Sequence, residues 1–304
     1  MATFVQGPVR VSVPATSANL GPGFDSLGLA LDLRDELEAE VVADGLLVEV
    51  DGAGSEAVPL DETHLVVRAM RAAFEVMGAE PPGLRLACRN VIPHARGLGS
   101  SSAAIVAGVS LARGLVAGGS LLVGDDALFD LAARLEGHPD NVAPAFYGGF
   151  AISGRDDDGF WAVGSTVDPR VGAVVFVPPT PVATEVARGL LPELVPHADA
   201  AADAGRTALL VAALAGQPEQ LWRATRDFLH QEQRRPAMPD SLALVDQLRA
   251  DGVPAVVSGA GPTVLAFTDG PAHPASAPGP LLARCPDGWE VHHLAVDRDG
   301  VRTV

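Results

Sequence analysis

The 304-residue chain contains no lysine, and all 21 of its basic residues are arginine. This absence excludes two kinds of site, because a Walker A phosphate loop needs its lysine and a Schiff-base enzyme needs a primary amine as nucleophile. A base-composition bias towards Ala, Gly, Arg and Asp explains the missing lysines. The exclusion of both mechanisms holds whatever the cause.

Cysteine, positive charge and long apolar runs are also scarce. Two cysteines, Cys88 and Cys285, cannot build a disulfide framework and match no metal-ligand spacing, so we expect buried thiols in a reducing cytoplasm. The formal net charge of −17 disfavours nucleic acid as a partner, because binding to phosphate backbones requires clustered positive charge. No apolar run reaches the ~20 residues of a membrane span and no secretory signal is evident, so we expect a cytoplasmic protein without a membrane contact.

Length and pattern predict a globular protein in which helices and strands interleave. Hydrophobic residues make up 48% of the chain, enough for one large core or two smaller ones. The predicted strands include 9–15, 37–52 and 84–93, and the predicted helices include 63–78 and 125–137. Interleaved elements indicate an α+β fold, and we expect a domain boundary near residues 165–170.

A glycine-rich stretch precedes a helix that is apolar on every side. "HARGLGSSSAAIVAG", residues 94–108, places Gly97, Gly99 and three serines at the start of that helix. The first-turn N–H groups have no intrahelical partner, and the helix dipole adds about half a positive charge. Phosphate can bind there without a lysine, and glycine lets the backbone approach it closely. The alternative interpretation is an ordinary glycine turn with a serine N-cap.

Four motifs, in this order along nearly the whole chain, resemble those of the GHMP kinases. They are "PATSANLGPGFDSLGLAL" at 14–31, the loop from Pro93 to Ala103, "LEGHPDNVAPAFYGG" at 135–149 and "SGAGPT" at 258–263. The first motif is similar to the homoserine-type form of the family and differs from the sugar and mevalonate forms. Two positions depart from the family pattern. Ser102 replaces the usual alanine, and His64 stands where asparagine often lies near the nucleotide base.

The resemblance implies a two-domain α+β fold. Residues 1–167 would form a domain of the ribosomal-protein-S5 type with a left-handed βαβ crossover, and residues 168–304 a ferredoxin-like domain. It implies ATP-dependent phosphorylation of the L-homoserine hydroxyl to O-phospho-L-homoserine, a step in threonine biosynthesis, with ATP and Mg²⁺ as cofactors. Two alternatives are another small-alcohol kinase of the family and a nucleotide-binding regulator that has lost catalysis. Whether the chain forms a homodimer stays open.

The resemblance also implies which residues hold the nucleotide and the metal. Glu136 matches the family's metal-binding glutamate and the Ser101 hydroxyl is the second candidate, although Glu136 could instead be a helix-end carboxylate that faces solvent. We expect Gly99→Val to lose ~10-fold or more in ATP affinity while the protein stays folded. The residues implied for ATP are Pro93, His94, Ala95, Arg96, Gly97, Leu98, Gly99, Ser100, Ser101, Ser102 and Ala103.

Homoserine is a zwitterion with a primary alcohol, so its site must hold a carboxylate, an ammonium and a hydroxyl apart. By resemblance, Arg188 and Arg234 bind the carboxylate through the guanidinium fork, with Arg235 as a rival for Arg234. The catalytic candidates need no strong base, because alcohol deprotonation can lag in a loose phosphoryl transition state. The other residues implied are Asn19, His138 and Asp140 around the ammonium and backbone of the substrate, Asp25 near the hydroxyl, and Asn141 for positioning the transition state.

Overall fold

Eleven strands form two sheets in the computed structural model, which describes residues 3–269 and 274–304. In chain order the strands are β1 Val9–Ala18, β2 Leu27–Val42, β3 Gly45–Gly52, β4 Gly83–Asn90, β5 Phe150–Asp156, β6 Gly159–Ser165, β7 Val171–Val177, β8 Ala255–Val257, β9 Val264–Asp269, β10 Glu290–Leu294 and β11 Arg302–Thr303. The larger sheet has the order β11-β1-β2-β4-β3, with β5 beside β2 and β6 beside β5. The smaller sheet has the order β10-β7-β9-β8.

Ten α-helices lie in the described residues, and two of them show how the sequence pattern sets burial. The helix Leu65–Val76 repeats apolar residues at helical spacing and buries one face, whereas the helix Ser100–Leu115 is buried over most of its length. The bounds are α1 Leu65–Val76, α2 Ser100–Leu115, α3 Gly119–Leu122, α4 Asp125–Glu136, α5 Val142–Tyr147, α6 Thr184–Gly189, α7 His197–Gly216, α8 Leu221–Ala224, α9 Pro239–Ala250 and α10 Pro278–Leu282.

The larger sheet contains one parallel strand pair among the described strands. β3 and β4 run parallel and α1 connects them, so they form the βαβ unit that the family resemblance implies. β2 alternates along its second half: Leu37 and Ala39 are buried, and Glu36 and Glu38 face outward, as period-two patterning predicts. The outward carboxylates pair with arginines on exposed positions, which contributes little stability. The helices therefore pack on the opposite face of this sheet.

The smaller sheet is antiparallel throughout its described pairs, and the prediction of an α+β fold with a ferredoxin-like second part is confirmed. The chain passes from the larger sheet to the smaller one between β6 and β7. Residues 295–304 then return to the larger sheet, where the Asp297 N–H donates to the carbonyl of Ala30 at 3.1 Å and β11 pairs with β1. The division into 1–167 and 168–304 stays a prediction, and the returning segment joins its two parts.

Two predictions about composition can be compared with the described residues. Cys88 is buried, Cys285 is partly buried, and both are free thiols. Burial raises the pKa of the Cys88 thiol to about 12, so this sulfur behaves as a small apolar group. Within residues 3–269 and 274–304, every helix is too short or too polar to cross a membrane.

Candidate active site

The predicted phosphate loop connects β4 to α2 through left-handed backbone. Ala95, Gly97 and Gly99 have φ angles of +52°, +78° and +69°, and Gly99 is the N-cap residue of α2. Among the described residues no side chain caps this helix. The N–H groups of its first turn therefore remain available to an anion, as the sequence predicts.

Gly99 is restricted by packing as well as by its backbone conformation. A Cβ at Gly99 would collide with Oγ1 of Thr16 and would lie 3.1 Å from Oδ1 of Asn141. The Thr16 hydroxyl donates to that Asn141 oxygen at 2.8 Å, so β1, the loop and α5 meet at this glycine. A valine at Gly99 would displace Thr16, so Gly99→Val is expected to disturb the local packing as well as the phosphate site, and its effect on folding stays a prediction.

The turn between β8 and β9 forms one wall of the loop. Ser258 Oγ lies 2.6 Å from the carbonyl oxygen of Gly97 and 2.8 Å from Oγ of Ser17. Because a carbonyl only accepts, Ser258 donates to Gly97 and accepts from Ser17. The Gly259 N–H donates to the carbonyl of Ala18 at 3.0 Å. The turn therefore packs on the N-terminal motif, as predicted.

Glu136 reaches from the end of α4 to the start of α2. Its Oε1 accepts hydrogen bonds from the hydroxyls of Ser101 at 2.5 Å and Ser102 at 2.9 Å. Glu136 is therefore half-buried and held by two hydroxyls, which supports its role beside the loop, and the assignment of a metal to it stays a prediction. Ser102, which replaces the family's alanine, is fully buried, and its hydroxyl donates to the Glu136 carboxylate.

His138, Asp140 and Asn141 form a hydrogen-bonded group at the start of α5. His138 Nδ1 lies 2.9 Å from Oδ1 of Asp140, which also accepts the Asn141 N–H at 3.0 Å. Burial lowers the pKa of His138, but the hydrogen bond to Asp140 and the charges of Asp140 and Glu136 outweigh it, so the pKa is raised. This group places the His138 imidazole and the Asp140 carboxylate on the lining of the cleft.

The loop after β1 is held in left-handed backbone by its own side chains. Asn19 and Asp25 have φ angles of +65° and +52°. The Asn19 amide donates to the carbonyl of Gly259 at 2.8 Å and accepts the Asp25 N–H at 3.0 Å. Both carboxylate oxygens of Asp25 accept from Arg188, at 2.6 and 3.0 Å. Asp25 therefore holds Arg188 against the loop. For the Asp25 carboxylate to act as a base towards a substrate hydroxyl, this ion pair would have to open.

Arg234 and Arg235 have opposite surroundings, which distinguishes the two rivals. Arg234 is 1% exposed, and its Nη1 donates to Nδ1 of His230 at 2.9 Å and to the carbonyl of Gly259 at 3.1 Å. Its Nε is buried and has no hydrogen-bond partner in the described part of the chain. Arg235 pairs at the surface with Glu232 and Asp246. Arg234 is the arginine that faces the cleft.

These groups enclose a cleft of about 420 Å³. The start of α6, with Thr184 and Glu185, completes its rim. A second cavity of about 310 Å³ adjoins it and shares Ala95, Ser100 and Ser101. The predicted residues that line the main cleft are Asn19, Ala95, Gly97, Gly99, Ser100, Ser101, Glu136, His138, Asp140, Asn141, Arg188 and Arg234.

Several predicted residues lie outside the main cleft. The side chains of Leu98, Ser102 and Ala103 are buried in the fold, so only their backbone could contact a nucleotide. The Arg96 guanidinium turns away from the cleft and donates to the carbonyls of His94 in its own loop and of Pro178 and Pro179 after β7. His94 lines the adjoining cavity and Asp25 lies behind Arg188, while Pro93 lines neither cavity.

Asp35 and His230 are positioned around the site without having been predicted. Asp35 is 4% exposed, and its Oδ1 accepts the N–H groups of Val91 and Ile92 at the start of the loop, at 2.6 and 2.9 Å. Nothing in the local sequence distinguishes Asp35 from the other acidic residues of β2. His230 precedes Arg234 by four residues, a helical spacing that could have indicated contact.

A backbone anion site that opens onto a carboxylate–hydroxyl pair and two arginines is typical of enzymes that transfer a phosphoryl group to a small molecule. Residues 64–149 match the family model "GHMP kinases N terminal domain" and residues 208–286 match "GHMP kinases C terminal". The chain belongs to the GHMP kinase family.

Relatives and solved structures of the same family match over nearly the whole chain. The homoserine kinase of Streptomyces coelicolor is 52% identical over 297 residues, which covers 98% of this chain and 94% of that protein. The homoserine kinase of Streptomyces avermitilis is 53% identical, covering 98% of this chain and 96% of that protein. The crystal structure of homoserine kinase from Cytophaga hutchinsonii superposes with a TM-score of 0.83 at 26% identity, covering 99% of this chain and 100% of that chain.

Proposed function

We propose that this chain transfers the γ-phosphoryl group of ATP to the hydroxyl of L-homoserine. The observation that carries the proposal is the buried Arg234, which lines the same cleft as the backbone anion site and whose hydrogen bonds go to a histidine nitrogen and a backbone carbonyl. A buried cation that is not neutralised by such neutral groups needs an anionic partner. The carboxylate of an amino acid fits this guanidinium, and the homoserine kinases that resemble the chain support the choice of substrate.

The nucleotide would occupy the loop and the adjoining cavity. The shared residues Ser100 and Ser101 make the two spaces continuous, so phosphates at the start of α2 can join a base in the second cavity. His64 lines that cavity and is 5% exposed, and its Nδ1 has no hydrogen-bond partner in the described chain. Burial and the neighbouring His94 lower the pKa of His64, so a neutral ring is available to a base.

Mg²⁺ fits the residues beside the phosphate loop. Magnesium is bound by one or two carboxylates together with substrate phosphates and water, and Glu136 with the Ser101 hydroxyl supplies the protein share. The described residues contain no cluster of three or more carboxylate, imidazole or thiol groups that would suit a dedicated metal cage. When bound, the ion would neutralise charge on the transferred phosphate. Glu136 and Ser101 would hold it next to the first turn of α2.

The amino-acid substrate would lie at the opposite end of the cleft. Arg234 would offer its Nη2 hydrogens to the carboxylate, and Arg188 would supply a second positive charge while remaining paired with Asp25. Asp140 and the Asn19 side chain supply acceptors near the ammonium group. The oppositely charged ends of a zwitterion would therefore meet complementary groups, and this arrangement orients the hydroxyl towards the phosphate loop.

In the proposed reaction the homoserine oxygen forms a bond to the γ-phosphorus while the bond to the ADP oxygen breaks, and the hydroxyl proton is released. The side-chain oxygen of Asn141 accepts from the Thr16 hydroxyl, and the Asn141 N–H donates to Asp140. The Asn141 side chain is therefore a rigid positioning group. Asp25 is occupied by Arg188, which favours a reaction without a strong general base. Positioning and charge neutralisation would supply most of the acceleration.

A turnover assay with three acceptors tests the proposal. ADP formation is measured with L-homoserine, with a simple amino alcohol that lacks the carboxylate, and without an acceptor. We expect turnover with homoserine and a loss of ~30-fold or more in kcat/KM without the carboxylate, because a buried guanidinium loses its partner. Equal rates on both alcohols would favour another small-alcohol kinase, and ATP binding without turnover would favour an inactive regulator. The cytoplasmic location and the homodimer stay predictions.

A further inference from the structure

His230 lies behind the substrate end of the cleft and is fully buried. It precedes a 3-10 helix, Glu232–Ala237, that carries Arg234. The imidazole packs on the ring of Phe24, with centroids 5.2 Å apart. The guanidinium of Arg234 lies 5.6 Å from the same ring. The histidine therefore belongs to the support of this arginine and lies outside the set of residues that line the cleft.

The two hydrogen bonds of His230 define its protonation state. Nε2 lies 2.7 Å from the carbonyl oxygen of Gly21, which only accepts, so Nε2 carries a hydrogen. Nδ1 lies 2.9 Å from Nη1 of Arg234, which only donates, so Nδ1 carries a free lone pair. The ring is therefore a neutral imidazole in its Nε2–H tautomer.

The charges around His230 act in both directions. Burial and the positive charge of Arg234 lower the pKa of the imidazole, whereas the negative charges of Asp227 and Asp25 raise it. Burial is the largest of these effects, so the pKa is lowered. A proton on Nδ1 would also place two cations in contact and remove the acceptor. The neutral ring and the orientation of Arg234 thus depend on each other.

We propose that His230 is a positioning residue that orients Arg234 for the carboxylate of the substrate. Nη1 of Arg234 donates one hydrogen to His230 and the other to the Gly259 carbonyl. With Nη1 held at both hydrogens and Nε buried, Nη2 is left as the nitrogen that can reach a ligand in the cleft. Without the Nδ1 acceptor, one contact would remain and the guanidinium could rotate away. This inference rests on the proposed function.

Two substitutions separate the two hydrogen bonds of His230. In His230→Asn the side-chain oxygen takes the place of Nδ1 and keeps an acceptor for Arg234, but the donor to Gly21 is lost. In His230→Gln the longer side chain places its NH₂ group near Nε2 and keeps the donor to Gly21, but the acceptor for Arg234 is lost. His197→Asn, on an exposed histidine at the start of α7, is the matched control.

Steady-state kinetics and calorimetry of all three variants test the proposal. We expect His230→Gln to raise the KM for homoserine by ~10-fold or more, with kcat and the ATP affinity nearly unchanged. His230→Asn should stay within about 3-fold of the unsubstituted protein, because it keeps the acceptor. The reverse order would overturn the proposal and make His230 a clamp for the Gly21 loop. Equal losses in both variants, with ATP binding intact, would also overturn it.

Nitrogen-15 NMR of the free protein gives a second reading that needs no substrate. The His230 signals, assigned by their absence in His230→Asn, should show a neutral Nε2–H ring from pH 5 to 8. An imidazolium, or a ring protonated at Nδ1, would overturn the proposal even if homoserine is the substrate. A protein with the expected spectrum and no turnover on homoserine would instead refute the proposed function.

Discussion

The two ends of the cleft are built in different ways. The phosphate end is one continuous loop and helix start, and what it offers is mainly backbone N–H groups, with Glu136 and Ser101 beside them. The amino-acid end consists of side chains from the loop after β1, from α6 and from the 3-10 helix before α9. These segments are far apart in the chain and are held by an ion pair and by buried hydrogen bonds.

This difference separates the two binding tasks. A backbone site recognises phosphate wherever the loop keeps its shape, so its substitutions act through the fold. A side-chain site depends on the orientation of single guanidinium groups, so its substitutions act on one ligand. Single changes at the amino-acid end should therefore alter homoserine binding while ATP binding is unaffected.

The largest expected effect is that of Arg234→Gln. Removing one partner of a buried charge pair costs on the order of 2–5 kcal/mol, so kcat/KM for homoserine should fall by ~100-fold or more. ATP affinity should change by less than about 2-fold, since the phosphate loop is not in contact with this side chain. Steady-state kinetics would measure kcat/KM for homoserine, and calorimetry would measure the ATP affinity of the same variant.

The matched control is Arg235→Gln. Arg235 pairs with Glu232 and Asp246 at the surface, and such exposed pairs contribute little. We expect both substrates to be unaffected within about 2-fold. If Arg235→Gln weakens homoserine binding as much as Arg234→Gln does, the assignment of the carboxylate to Arg234 is wrong.

The local sequence alone predicts the conformation of the phosphate loop, whereas the residues of the amino-acid end come only from the family resemblance and their contacts from neither, for a physical reason. The conformation of a contiguous motif such as 93–103 can be predicted from its own residues, because the glycines, the start of the helix and the apolar run follow one another in the sequence. The close approach of Thr16 to Gly99 joins residues 83 positions apart and leaves no local pattern. The same holds for Asp25 and Arg188, whose pairing depends on how α6 packs on the first loop.

In the fold, too, elements with a local sequence pattern could be predicted and elements that depend on distant contacts could not. Strong periodicity predicted β1, β4, α1 and α4 close to their bounds. The short β11 at Arg302–Thr303 was not predicted, because two exposed residues carry no pattern and form a strand only by pairing with β1. Its pairing is a consequence of the returning segment, which is tied by Asp297 to Arg34 in a buried ion pair.

The second prediction tests how far the phosphate loop depends on the fold. Asp35 anchors the start of the loop, and burial raises its pKa from 3.8 to about 6 despite two backbone hydrogen bonds. The native state therefore binds this proton more tightly than the unfolded state. Its contribution to the unfolding free energy is greatest below pH 4 and is lost as pH rises to about 6, by up to ~3 kcal/mol.

Asp35→Asn removes this titration and keeps an oxygen for the N–H groups of Val91 and Ile92. We expect the unfolding free energy of the variant, minus that of the unsubstituted protein, to increase by roughly 1–3 kcal/mol between pH 4 and pH 6.5 and to stay level above that, because only the unsubstituted protein loses stability over this range. Asp203, whose pKa burial also raises to about 6, titrates in both proteins and cancels. Urea unfolding at four pH values measures the difference, and a difference that does not vary with pH would contradict the prediction.

The smallest expected effect is that of Glu136→Gln, which separates the side-chain share of the phosphate end from its backbone share. Glutamine keeps an oxygen that can accept from Ser101 and Ser102, so the start of α2 should keep its shape and the melting temperature should be nearly unchanged. The substitution removes the negative charge that α4 places beside the start of α2 for a divalent cation. We expect the Mg²⁺ concentration for half-maximal turnover to rise by ~10-fold, about 1.4 kcal/mol, with the KM for homoserine unaffected. Glu193→Gln, on an exposed carboxylate, is the control. An unchanged Mg²⁺ requirement would mean that the cation is held by phosphate oxygens and water alone, and that the phosphate end of the cleft works through its backbone only.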